Sequence, residues 1–252
     1  ASVVAQSEVS GPASWALADA YTTCDRWFSS VMGPTWPNRM YWLSGTAEGL
    51  VRNEIPPGGF SWTSIFHRLN QRGVDWKYYF GNVPTVGLFE NLDFDTHIAS
   101  FNLFFADAEA GRLPPVTYID PTFFGNDDHP PLPPMLGQQL IASIYRALAQ
   151  SPQWPNTLFV VTYDENGGFY DHVPPPTTTD ARADQGFDQL GFRVPTLVMG
   201  PYVKTGHISS VVRDHTSALA HIERMFDLQP LNQRTAAAND LSECIDADRL
   251  AA

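Results

Sequence analysis

Cysteine is almost absent: Cys24 and Cys244 are the only two in 252 residues. Neither sits at metal-ligand spacing, which argues against a zinc–thiolate centre. One bridge between them and two buried free thiols are both open readings. Basic residues are also scarce, 15 Lys and Arg against 27 Asp and Glu, for a net charge of −12. That balance argues against nucleic acid as a partner, because a phosphate backbone needs a basic face. It equally argues against electrostatic attraction to an anionic membrane. A phosphorylated substrate is still compatible, since a bound cation inverts the local field. No apolar run approaches the roughly 20 residues of a membrane-spanning helix. No signal peptide is visible at Ala1. With 43% hydrophobic and 17% charged residues, the composition is that of a globular chain. A chain of this length buries one large core or two small ones.

What is present is concentrated between Leu158 and Pro176. The apolar run Leu158-Phe159-Val160 reads as a strand, and two adjacent carboxylates, Asp164 and Glu165, stand where it ends. Open α/β sheets place their chemistry at the carboxyl ends of strands. Adjacent carboxylates repel, so the pair implies a cation or a shared proton, a solvated acidic turn being the alternative. Gly167 and Gly168 let the backbone turn tightly. Asp171 and His172 follow, before Pro174, Pro175 and Pro176 stop regular structure. The preceding strand and the following Asp-His favour a metal or acid–base site.

Along the rest of the chain, helix-like and strand-like segments alternate, which predicts an α/β layered fold. Helices are expected over 14–23 (capped by Ser14), 61–72, 96–110, 136–150 and 214–226 (capped by Asp214). Gly73 and Gly111 are placed to end two of them. The clearest stripe is Leu140, Ile141, Ile144, Tyr145 and Leu148. Strands are expected over 74–80, 116–119, 158–163 and 193–199. Pro and Gly cluster in three loops, 56–59, 121–134 and 174–191, and long loops of this kind are often functional. The segment 235–252, rich in Ala and Asp, reads as a peripheral tail of a single domain spanning 1–252.

The run YDENGGFYDHVPPP (163–176) resembles the signature of the bacterial and plant phospholipase C and acid phosphatase family of phosphoesterases. GPTWPNRMY (33–41) resembles that family's GPT-x-PNR-x-Y block, and DHPP (128–131) resembles a third block. The three run in family order, and the last blocks of the resemblance reach about Phe226. The resemblance implies a layered α/β/α sandwich around a largely parallel sheet, like the alkaline phosphatase superfamily. It also implies an exported protein, secreted, periplasmic or on the cell surface. Metal-assisted phosphoester hydrolysis is the implied activity, on phospholipids or small phosphomonoesters.

By that resemblance Thr35 is the nucleophile. Pro37 marks a first helical turn, so Thr35 falls near a helix start, where orphan N–H groups and the dipole suit a phosphate. From spacing alone it reads as a capping threonine. Asp164 and Glu165 carry over as metal ligands, with Thr35 beside the cation. Asp128 and His129 approach the phosphate, His129 as general acid or phosphate donor. Asn38 and Arg39 are candidates for supporting or facing the phosphate, Arg39 being equally readable as a surface ion pair. His172 is either a structural hydrogen-bond partner of its loop or a direct contact. Asp214 reads as a helix cap, and His215 is a candidate to point into the pocket. Trp36, Phe169 and Tyr170 neighbour these residues and line a leaving-group pocket or fill the core. All-oxygen ligands suit Ca²⁺ or Mg²⁺, and an added His admits Zn²⁺.

The family opens with a block of the form ENRSFDHYFG, whose Glu and Asn are metal ligands, and this sequence has no counterpart to it. The expectation is therefore a half-site, completed by a second chain that carries the missing N-terminal part. Two other readings compete: a sulfatase or phosphonate hydrolase of the same superfamily, and a non-catalytic binding module that keeps the fold.

Overall fold

The computed structural model describes residues 11–92 and 96–251. The chain opens with α1 (Pro12–Ala20) and β1 (Thr22–Cys24), then α2 (Thr35–Ser44), α3 (Ile65–Arg72) and β2 (Trp76–Phe80). It continues with β3 (Ile98–Ser100), α4 (Phe101–Glu109), β4 (Val116–Asp120), α5 (Met135–Gln150) and β5 (Phe159–Thr162). The last elements are β6 (Thr196–Met199), β7 (His207–Ser209), α6 (Thr216–Met225), α7 (Gln233–Ala237) and α8 (Ala247–Ala251).

The α/β class holds, and the strands divide into two sheets among the described residues. One, ordered β3-β2-β4, is all parallel, with Tyr78 opposite both Ile98 and Tyr118 and Phe80 opposite Asp120. The other, ordered β5-β6-β1-β7, is mixed. There β6 runs antiparallel to both β5 and β1, and β1 runs parallel to β7. β6 is buried at every position, as befits an interior strand.

Two expected helices have other bounds than the sequence suggests: the first starts and ends earlier, and the one expected from 96 starts later. The first has Gly11 as its cap and Pro12 at its first turn, and ends at Ala20. Ser14 instead gives its backbone N–H to Gln138 Oε1 at 2.8 Å. The β-branched Thr22 and Thr23 leave the helix for a strand. Likewise 98–100 is a strand pairing with β2, and α4 starts only at Phe101. α3 ends where expected, at Gly73 with φ 73°, but starts at Ile65 and not at 61, because Ser64 and His67 form a reciprocal cap there.

The largest core cluster lies between α2, α3 and the parallel sheet, where Phe66 packs on Trp76, Tyr78 and Tyr118. A second cluster lies behind the mixed sheet, around Trp27, Val198, Ala218 and Leu241. Trp42 of α2 touches both. Ile119 and Phe159, from neighbouring ends of the two sheets, pack against a third cluster with α4 and α5. The segment from Thr235 is not peripheral throughout: Thr235, Leu241 and Cys244 are buried. Ala252 lies outside the described residues. No helix among the described residues is long and apolar enough to cross a membrane.

Candidate active site

The parallel strand β4 ends at Asp120, β5 ends one residue before Tyr163-Asp164-Glu165, and α2 starts at Thr35. These three ends meet through one side chain. Arg39 donates from Nε to Asp164 Oδ2 at 3.0 Å and from Nη1 to Asp120 Oδ1 at 2.8 Å. Its guanidinium also covers the Phe123 ring at 4.6 Å. Burial works against its charge, but Asp120 and Asp164 more than reverse this and raise its pKa. The open reading of Arg39 as a surface ion pair is thereby settled, since its side chain is only 13% exposed.

Thr35 is the first residue of α2, after an extended Pro34 cap, and half-buried. Thr35 and Arg39 are four residues apart on one helix and so share a face. The start of α2 offers fewer free donors than expected. Pro37 has none, the Trp36 N–H donates to Asn53 Oδ1 at 2.9 Å, and the Asn38 N–H reaches Pro34 O at 3.5 Å. Among the described residues this leaves the Thr35 N–H for an anion.

Asn38 does not face a ligand. It is fully buried, and its amide is used on the preceding loop. Oδ1 accepts from Val31 N at 3.0 Å, and Nδ2 donates to Gly33 O at 2.9 Å and Pro34 O at 3.2 Å. The residue read as substrate-binding therefore shapes the loop that presents Thr35.

Glu165 is held by the Gly167 N–H, which donates to Oε2 at 2.6 Å. That turn is made by Gly167 and Gly168 at φ 63° and 77°, a region glycine enters without cost. Burial, and then the charge of Asp164, push the Glu165 carboxyl above its ordinary range. Glu165 lines an open cavity of about 520 Å³ with Ser29, Met32, Gly33, Phe169 and Phe192. Phe169 and Tyr170 are exposed on its rim, so they line the pocket and are not core.

His129 Nδ1 lies 4.0 Å from Glu165 Oε1, with the ring half exposed. The neighbouring Asp128 holds a left-handed backbone at φ 59°. Its Oδ2 accepts from Tyr163 Oη at 2.7 Å and its Oδ1 from the Gly137 N–H in the first turn of α5 at 3.1 Å. Burial raises its pKa despite both bonds. Asp128 thus anchors the loop that carries His129.

His215 lies behind the site and does not point into the pocket. It is fully buried, with Nε2 donating to Asp164 O at 2.7 Å and Nδ1 accepting from Trp27 Nε1 at 3.4 Å. Burial lowers its pKa, which keeps the ring neutral and able to make both bonds. His215 is itself the cap residue of α6, one place beyond the expected Asp214, whose Oδ1 accepts from the Thr216 N–H at 3.0 Å. His172 is 71% exposed and 3.6 Å from Asp171, which is tied to Arg193 Nε at 2.5 Å. This is a loop anchor beside the turn.

Sequence reasoning missed two residues. Asp120 receives Tyr78 Oη at 2.5 Å and Thr85 Oγ1 at 2.6 Å in addition to Arg39. Its signal was an acidic residue closing a strand. Arg234 is fully buried and joins Asp180 (3.0 Å), Asp214 (2.5 Å) and Ser30 O (2.6 Å), with the Tyr41 ring at 4.4 Å. Nothing in its Ala-rich surroundings marked it.

Among the described residues, no group of three or more His, Cys, Asp or Glu side chains is arranged to hold a metal ion. Asp164 and Glu165 offer the hard oxygen donors a divalent cation takes, but they do not complete a shell, and Arg39 already sits on Asp164.

The site thus brings together strand-end carboxylates, a hydroxyl at a helix start and a buried arginine between them. The chain belongs to the phosphoesterase family, whose model matches residues 7–229. It is 38% identical over 244 residues to non-specific phospholipase C6 of Arabidopsis thaliana, covering 84% of this chain and 46% of that protein. It is 35% identical over 272 residues to phospholipase C A of Mycobacterium tuberculosis, covering 89% of this chain and 52% of that protein. The chain therefore spans about half the length of the curated relatives it matches. Its fold is that of the alkaline phosphatase superfamily. A superfamily member from Vibrio parahaemolyticus matches with TM-score 0.64 at 10% identity, over 91% of this chain and 63% of that one. A murine ectonucleotide pyrophosphatase/phosphodiesterase matches with TM-score 0.60 at 11% identity, over 90% and 92% of the two chains.

Proposed function

We propose that the protein is a phosphoester hydrolase of phospholipase C type, in which Thr35 attacks phosphorus. The observation that carries this reading is the placement of Thr35 and Arg39 on one face of α2, with Arg39 bonded to Asp164 at the end of β5. The names of the 38%- and 35%-identical relatives support phospholipids as the substrate class, with small phosphomonoesters the alternative.

In this reading the Thr35 N–H and the start of α2 receive a phosphoryl oxygen. Arg39 keeps Asp164 and Asp120 in place and offsets negative charge near the reacting centre. His129, exposed and close to Glu165, gives a proton to the leaving group, and Asp128 sets the loop that presents it. His215 fixes the Asp164 backbone from behind. Water then resolves the phosphothreonine. A divalent cation (Ca²⁺, Mg²⁺ or Zn²⁺) on Asp164 and Glu165 would lower the Thr35 pKa and stabilise developing charge. Its remaining ligands would come from outside the described residues.

Thr35→Ala tests the assignment. The helix cap is Pro34 and not Thr35, so the stability cost is expected within about 1 kcal/mol. Turnover of a phosphate ester is expected to fall by about 10³-fold or more. Retained turnover in the folded variant rejects the nucleophile. Faster turnover of sulfate or phosphonate esters by the wild type rejects the substrate class.

A further inference from the structure

Cys24 ends β1 and Cys244 closes a short turn after Leu241, near the opposite end of the chain. Both are buried in one apolar cluster with Trp27, Val198, Val203 and Leu241. Their backbones are held independently. Cys24 pairs in register with Ser209 of β7. The Cys244 carbonyl accepts from Lys204 N at 2.9 Å, and its N–H donates to Leu241 O at 3.0 Å. The neighbouring Glu243 accepts from Ser209 Oγ at 2.5 Å, which draws this turn onto β7 beside Cys24. Both thiols are unbridged and share that buried cluster, with the Cys244 S–H donating to Glu243 Oε2 at 3.9 Å. No third cysteine competes for either. Both lie in the framework behind the mixed sheet, and neither is used by the phosphoester chemistry.

We propose that Cys24 and Cys244 form an oxidation site that closes into a disulfide and staples the C-terminal segment to β1. The oxidant is an external disulfide, such as oxidised glutathione. The Cys244 thiolate attacks one of its sulfurs, the reagent's S–S bond breaks, and the far sulfur leaves as a thiolate. Cys24 then loses its proton to solvent and attacks the Cys244 sulfur of the mixed disulfide, expelling the second reagent thiol. Two protein thiols are oxidised and one external disulfide is reduced to two thiols. The balance is the same if Cys24 attacks first and Cys244 second. Because both thiols are buried, the exchange belongs to folding, before the C-terminal turn docks.

The test is thiol counting on the full chain purified without reductant, denatured in guanidinium and alkylated with N-ethylmaleimide. No adduct is expected before reduction and two after it, with a linked Cys24–Cys244 peptide in the digest. Chain reduced, unfolded and refolded with oxidised glutathione should regain the link. Reduction should lower the Tm by about 5–15 °C in the wild type. The Cys24→Ser/Cys244→Ser double variant should show no such dependence. Two free thiols after refolding with oxidised glutathione overturn the proposal, as does a Tm indifferent to reductant in a chain shown to carry the link.

Discussion

Arg39 is the residue on which the site's geometry turns. Its fork spans two carboxylates from different sheets, Asp120 (side chain 10% exposed) and Asp164 (26%). Arg39→Ala leaves a nearly buried Asp120 with hydroxyl partners but no cation. Removing one partner of such a pair costs about 3–5 kcal/mol. Arg39→Lys keeps the charge yet cannot make two directed bonds, so stability should recover in part while turnover does not. Urea unfolding and kcat/KM on the same three proteins check this. A stable Arg39→Ala variant would show that the bridge carries no net energy. The sequence made Arg39 visible as part of a block, but not its partners. Asp120 shows only as a strand-closing acid, and nothing local tells that Thr85 and Tyr78 converge on it. Asn38 failed in the opposite way: adjacent to the right residues, it turns inward, because helix position decides the face a side chain takes and proximity in sequence does not.

At the scale of elements, long periodic segments were legible and three-residue strands were not. α5 carries five apolar positions on one stripe and was placed to within a residue. β1 and β3 are too short to show alternation, and each was absorbed into a neighbouring helix. α5 also shows how an element's start serves the site. Gly137 lies in its first turn, and a Cβ there would collide with the Asp128 carboxylate. In an unconstrained helix Gly→Ala would stabilise by about 1 kcal/mol. Here Gly137→Ala must push Asp128 away from the Gly137 N–H and Tyr163, and with it the loop holding His129. The expected result is a lower Tm and reduced turnover, against the rise that propensity alone gives. Thermal melts with initial rates decide it, and a raised Tm with full turnover would show that the loop position is not set by Asp128.

At the scale of the whole molecule, the chain's end closes its middle. The C-terminal segment reads as peripheral because Ala and Asp dominate it, and composition does not reveal that Thr235, Leu241 and Cys244 are spaced to reach the core. Its electrostatic anchor is Glu243, which meets His207 Nε2 at 2.7 Å, Arg213 Nη2 at 3.2 Å and Lys204 Nζ at 3.4 Å, with the Ser209 hydroxyl donating to it. Burial alone would raise its pKa, but the Ser209, His207 and Arg213 hydrogen bonds win and lower it from 4.5 to about 2. A carboxylate depressed by folding binds fewer protons native than unfolded, so stability rises with pH across that window. Its contribution is complete above the unfolded value of 4.5 and is lost as pH falls through about 2. Asp107, Asp171, Asp214 and Asp240 are lowered too, so the acid sensitivity of the wild type is a sum. Subtracting the curve for Glu243→Gln isolates this one anchor. The variant should be less stable than the wild type at pH 6, and the gap should close as pH falls from 4.5 towards 2. Guanidinium unfolding measured along that pH series gives the difference directly. A gap that stays constant would mean that the charge of Glu243 does no work, and that the segment is held by Leu241 and Cys244 alone.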